Sequence, residues 1–219
     1  MPSQFLSLPQ IHTFLQPYRK ASCNPASAVN RLSLKVLEYV LHFLEAATQK
    51  DNPMAPSLVF KHYLKRLEAI LGKIEIHRAE CDNVFNASLY QDMFPLLQQA
   101  KVAIGFSLRA CCPLAGMDIV TFKEDEMTLG AVRNELAATL AFIDKIPIEN
   151  FDGHERRKVE TVAGFAKHIM PGEEYYQLYA LPNFMFHLSV VYAIARSKGV
   201  PLSKGDFDGY HEYPEGFRF

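Results

Sequence analysis

Five segments of this 219-residue chain repeat their apolar residues at intervals of three and four, and proline, glycine or a capping residue bounds most of them. That period lines one face of a helix with apolar side chains, and each such face must be buried against another. Phe60, Tyr63, Leu64, Leu67, Ile70, Leu71 and Ile74 follow Pro56, which suits a first helical turn, and this helix should end before Cys81-Asp82-Asn83. A second helix is predicted over 92–112, with Asp92 as its cap, Pro95 in its first turn and Pro113 ending it. A third starts at the cap Thr128, carries Leu129, Val132, Leu136, Leu140 and Ile143, and stops at Pro147. The last is predicted over 173–198 and stops at Gly199, with Pro201 beyond.

Between the last two, residues 148–172 break the rhythm. Strands Lys158-Val159-Glu160-Thr161-Val162 and Phe165-Ala166-Lys167-His168-Ile169 around Ala163-Gly164 read as a small β-hairpin. Upstream, Leu32, Val36, Leu37, Val40, Leu41 and Leu44 mark a further helix over 27–48, and Asp51-Asn52-Pro53 reads as a turn. The fold class expected is all-α: an antiparallel four-helix bundle with a small β-hairpin insertion and an extra N-terminal helix. Residues 1–53 are expected to be an N-terminal extension with one helix, and 54–219 the bundle domain.

Composition narrows the function. Hydrophobic residues are 49% and charged residues 21%, so the chain can bury a core without staples. With 23 Lys+Arg against 24 Asp+Glu the net charge is −1, which supplies no reason to expect nucleic acid or an anionic membrane surface as partner. No apolar run is expected to reach a membrane span of about eighteen residues. The first acid is Glu38, but Pro2, Pro9, Pro17 and Pro25 break any amphipathic transit helix, and a docking arm is the preferred reading. Phe217-Arg218-Phe219 is no peroxisomal address, so cytoplasm is the default location. Cys23, Cys81, Cys111 and Cys112 lack disulfide-framework or zinc spacing, and reduced, partly buried thiols are expected.

The last helix holds the chemistry. Its inward stripe runs through Tyr176, Tyr179, Asn183, Phe186/His187, Val190/Val191 and Ile194. Asn183 and His187 are spaced i, i+4 and share a face. Pro182 leaves the carbonyl of Leu178 without its helical donor. A Pro-Asn pair followed by His in an apolar stripe costs stability, and a polar pocket inside the bundle is one compensating gain. A His and an Asn that simply satisfy buried partners are the competing structural explanation. Tyr176, Tyr179 and Tyr192 read first as core or rim aromatics, Asp92 as a cap, and Glu126 as part of the acidic approach to the next helix.

Several ordered motifs together resemble a known family: Asp92-Met93-Phe94-Pro95-Leu96, Phe122-Lys123-Glu124-Asp125-Glu126-Met127-Thr128, and Leu181-Pro182-Asn183-Phe184-Met185-Phe186-His187. Tyr192-Ala193-Ile194-Ala195-Arg196 and Gly199-Val200-Pro201-Leu202-Ser203-Lys204-Gly205-Asp206-Phe207 belong to the same set. Over 54–209 they look like the domain-of-unknown-function family numbered nineteen ninety-three, among the DinB-like helical bundles. The resemblance implies a DinB-like four-helix bundle, often a homodimer, with no established family function. It also implies that better-known relatives hold a divalent metal through one His on an early helix and a His-x-x-x-His pair on the last. His187 matches the second His of that pair, and Asn183 stands at the first. The early helix, around Gln98, Gln99 and Lys101, has no His. A standard three-His site is therefore excluded, and no cofactor is expected.

The preferred expectation is a small-molecule enzyme with an acid/base pocket inside the bundle: an isomerase, dehydratase/cyclase or hydrolase on an apolar or aromatic substrate. His187 would be general acid/base, Asn183 would orient the substrate and Tyr176 would donate to oxyanion charge. Asp92, Gln99, Glu126, Tyr179, Phe186 and Tyr192 would contact the substrate. The rival readings are a non-catalytic small-molecule-binding or structural dimer module, and a residual divalent-metal site on His187 with Asp92 or Glu126. The partner expected is a small-molecule ligand or substrate, and the resemblance adds a second copy of the chain as a homodimer.

Overall fold

The computed structural model describes residues 54–81 and 83–214, so the helix predicted over 27–48, the turn at Pro53 and Cys23 lie outside the described residues. Four long helices form a mostly helical bundle: α1 (Pro56–His77), α2 (Leu96–Leu114), α3 (Leu129–Ile143) and α4 (Gly172–Ser197). A two-stranded hairpin, β1 (Lys158–Ala163) and β2 (Ala166–Pro171), precedes α4, and a short α5 (Lys204–Asp208) follows it. The apolar stripe of α1 is buried as its spacing requires, from Phe60 through Leu64, Leu67, Ile70 and Leu71 to Ile74. Helix α2 is the centre of the domain, packed against α4, α3 and α1. Cys81, Cys111 and Cys112 are buried and unpaired, and burial pushes the Cys111 thiol well above its ordinary range.

Helix ends show which local signals decided the boundaries. Thr128 caps α3 by accepting a hydrogen bond from the Ala131 amide at 3.2 Å, as expected of a Thr in that position. Asp92 does not cap α2: Pro95 disfavours helical backbone at Phe94, so the helix cannot begin upstream of it, and Asp92 sits exposed in a turn. Pro113 is accommodated one residue before the end of α2. The helix closes on Gly116 instead, with Met117 N–H bonded to the Cys112 carbonyl and Gly116 N–H to that of Pro113. Helix α4 ends by the same device, Val200 to Ala195 and Gly199 to Arg196, each 3.0 Å, with Gly199 at φ 91°.

Inside α4 the backbone widens into a π-helical segment, Tyr175–Ala180, where Leu181 N–H bonds to the Tyr176 carbonyl five residues back. Pro182 explains it: with no N–H to offer, it cannot continue the ordinary ladder, and the wider turn takes up the mismatch. This 26-residue helix also corrects one expectation, because an 18-residue window of it has a mean hydropathy of 1.4, which by length and composition alone meets the measure of a membrane span. Its buried apolar side chains, among them Phe184, Leu188, Val191 and Ile194, belong to the bundle core.

The hairpin turns at Gly164-Phe165, one residue later than predicted, because Ala163 pairs with Ala166 and Gly164 takes φ 59°. Only Val159 of the pair is buried. Where the hairpin meets α4, a Cβ on Gly172 would lie 1.9 Å from the His154 carbonyl oxygen. We expect Gly172→Ala to cost about 1–3 kcal/mol by forcing this junction apart, read as a lowered denaturation midpoint.

Candidate functional site

His187 projects from α4 towards α2. Its Nδ1 lies 2.6 Å from Oε1 of Gln99, a side chain only 2% exposed. The Gln99 amide nitrogen in turn donates to the Phe94 carbonyl at 3.1 Å. That second bond fixes the orientation of the amide, so the oxygen faces the imidazole and Nδ1 must carry the proton. The neutral ring then keeps its lone pair on Nε2.

Aromatic side chains frame the imidazole. Phe106, one heptad beyond Gln99 on α2, stacks against it at 5.8 Å and 22°, and Phe186 meets it edge-on at 5.1 Å. The Arg109 guanidinium lies 3.7 Å from the centroid of the Phe106 ring. Burial, reinforced by the Arg109 charge, lowers the His187 pKa below the ordinary histidine value. The folded state therefore holds this proton less tightly than the unfolded chain does. His187 contributes stability above the unfolded value of about 6.5, and that contribution is lost as pH falls through the folded value. Between pH 7.5 and 5.5 the wild type is expected to lose more thermal stability than His187→Gln, and equal losses would contradict this.

Of the other sequence-predicted residues, Tyr179 joins the group through a 6.0 Å ring contact with Phe106. Asn183 shares the His187 face, with Nδ2 donating to the Tyr179 carbonyl at 2.7 Å, a carbonyl just upstream of Pro182. Tyr176 is not brought into ring contact with His187. It is buried against Phe60 and His154, and burial pushes its phenol up to about 12. Tyr192 packs on Phe207, while the Asp92 and Glu126 side chains face solvent. Nothing in the sequence singles out Arg109, whereas a heptad step from Gln99 reaches Phe106.

The resemblance puts the metal set at Asn183, His187 and a position around Gln98, Gln99 and Lys101, and of these last three it is Gln99 that meets His187. Both ends of the Gln99 amide and the Asn183 nitrogen are engaged, which leaves one imidazole nitrogen and one amide oxygen. That donor set does not fit a divalent transition metal. Among the described residues no three His, Cys, Asp or Glu side chains gather to replace it.

A cavity of about 330 Å³ lies along another stripe of α2, bordered by residues 119–123 and by α3; Arg109 lines it and His187 does not. At its edge Lys101 and Glu135 form an ion pair at 3.0 Å, each side chain 5% exposed. Lys101 Nζ also donates to the carbonyls of Glu124 and Glu126, and the Glu124 amide donates to Glu135 Oε1, so the pair ties the α2–α3 connection to both helices.

The family described as domain of unknown function (DUF1993) matches residues 55–208. The chain is similar to the crystal structure of a DinB family member protein from Shewanella denitrificans. The TM-score is 0.63 at 25% identity, over 72% of this chain and 92% of that one. No curated protein matches.

Proposed function

Because the chain belongs to the DUF1993 family and folds as a DinB-like bundle, we propose that it is a small-molecule enzyme using His187 as a metal-independent general base. One observation carries this reading: the Gln99–His187 bond, which holds the neutral imidazole in the Nδ1–H tautomer and leaves Nε2 to take a proton. The lowered pKa keeps that nitrogen unprotonated at neutral pH. Phe106 and Phe186 favour an apolar or aromatic substrate, and the side-chain amide oxygen of Asn183, one turn away, would accept a hydrogen bond from it. Gln99 is a positioning residue. Proton abstraction would serve isomerisation, dehydration, cyclisation or hydrolysis alike.

The test is a turnover screen over aromatic substrates of these four reaction classes, with His187→Ala as control. Activity in the wild type should fall by about two to four orders of magnitude in the variant, with its circular dichroism unchanged. Turnover that survives the substitution would remove His187 from the chemistry. The second reading, a non-catalytic binding module, is favoured by the cavity that His187 does not line.

A further inference from the structure

The cavity between α2, residues 119–123 and α3 contains polar atoms that the protein itself leaves unused. Thr139, fully buried and lining it, has a hydroxyl with no hydrogen-bond partner. Such a group costs stability unless something fills its need. Glu135, one turn earlier on the same face of α3, spends Oε1 on Lys101 and on the Glu124 amide, while Oε2 takes no hydrogen bond among the described residues. Lys101 is held on three sides, by hydrogen bonds to the Glu124 and Glu126 carbonyls and by its ion pair with Glu135. The buried pair is therefore electrically balanced, and the charges the cavity presents come from Arg109 and Lys123. The acids that follow Lys123, from Glu124 to Glu126, do not line it. Val102, Leu108, Ile119 and Phe122 supply apolar wall.

From this arrangement we infer that the cavity is a binding site for a small organic acid carrying a hydroxyl or amino group across an apolar spacer. The acid group pairs with Arg109 and Lys123. The apolar body lies along Phe122 and Leu108, and the far donor reaches Glu135 Oε2 and the Thr139 hydroxyl. The inference does not rest on the His187 reading, since His187 lies outside the lining.

Three probes test it on the full chain by methyl and backbone NMR titration: 4-hydroxyphenylacetate, phenylacetate, which lacks the donor, and 4-hydroxybenzyl alcohol, which lacks the acid. The first should bind about tenfold more tightly than either of the others, with shifts centred on Val102, Phe122 and Thr139. Thr139→Val should raise the melting temperature of the free protein by removing the orphaned hydroxyl, and weaken 4-hydroxyphenylacetate about tenfold. Arg109→Gln should weaken both acids and leave the alcohol unchanged. Equal binding of all three probes, no binding by any of them, or shifts centred on His187 would overturn the assignment. So would a Thr139→Val protein that is less stable and binds as before.

Discussion

Replacing Glu135 with Leu is expected to destabilise the bundle by about 3–5 kcal/mol, because the substitution strands a buried ammonium. Lys101 and Glu135 are each 5% exposed and 3.0 Å apart. Removing the carboxylate leaves the Lys101 charge with only the Glu124 and Glu126 carbonyls for company. It also frees the Glu124 amide that had donated to Glu135. The double variant Lys101→Met with Glu135→Leu should recover most of the loss, since the cost lies in the uncompensated charge more than in any net attraction within the pair. Urea midpoints of the single and double variants measure both effects. A single variant within about 1 kcal/mol of wild type would mean that the pair is solvated.

Phe60→Ala should cost a comparable amount, about 3–5 kcal/mol, by opening a void where α1 meets α4. Phe60 is fully buried, with its ring 5.0 Å from Phe184 at 89° and 6.1 Å from Tyr176. Neither neighbour can collapse readily into the space: Phe184 is itself fully buried, and Tyr176 is wedged against His154. Phe60→Leu keeps most of the volume and should lose less than half as much. Equal midpoints for the alanine variant and the wild type would contradict the packing described.

Which features were legible in the sequence follows from what periodicity measures. The α1 stripe, the Thr128 cap, the hairpin and the Gly199 stop depend on local residue chemistry, and each is found within a residue or so of its expected place. The candidate centre was legible in part: His187, Gln99, Phe186 and Tyr179 come together, but Tyr176 turns towards Phe60. A helix stripe shows which residues share a face, but not which neighbouring helix that face meets. The π-helical segment before Pro182 adds a further rotation that a 3.6-residue period does not contain. The buried Lys101–Glu135 pair and the cavity beside it were not legible at all. Charged residues at polar positions read as solvent-facing, and only the chain crossing over them from 119 to 126 takes them out of water.

The chemistry proposed for His187 turns on the state of its imidazole. Nitrogen-15 NMR of the His187 side chain in the intact protein tests it directly. At pH 7 the ring should be neutral, with the proton on Nδ1, the lone pair on Nε2, and a titration midpoint below about 6.5. In Gln99→Leu the same signals should relax towards a mixture of the two tautomers. An Nε2–H ring in the wild type, or a midpoint above that value, would mean that Gln99 does not set the tautomer and that His187 is not poised as a base.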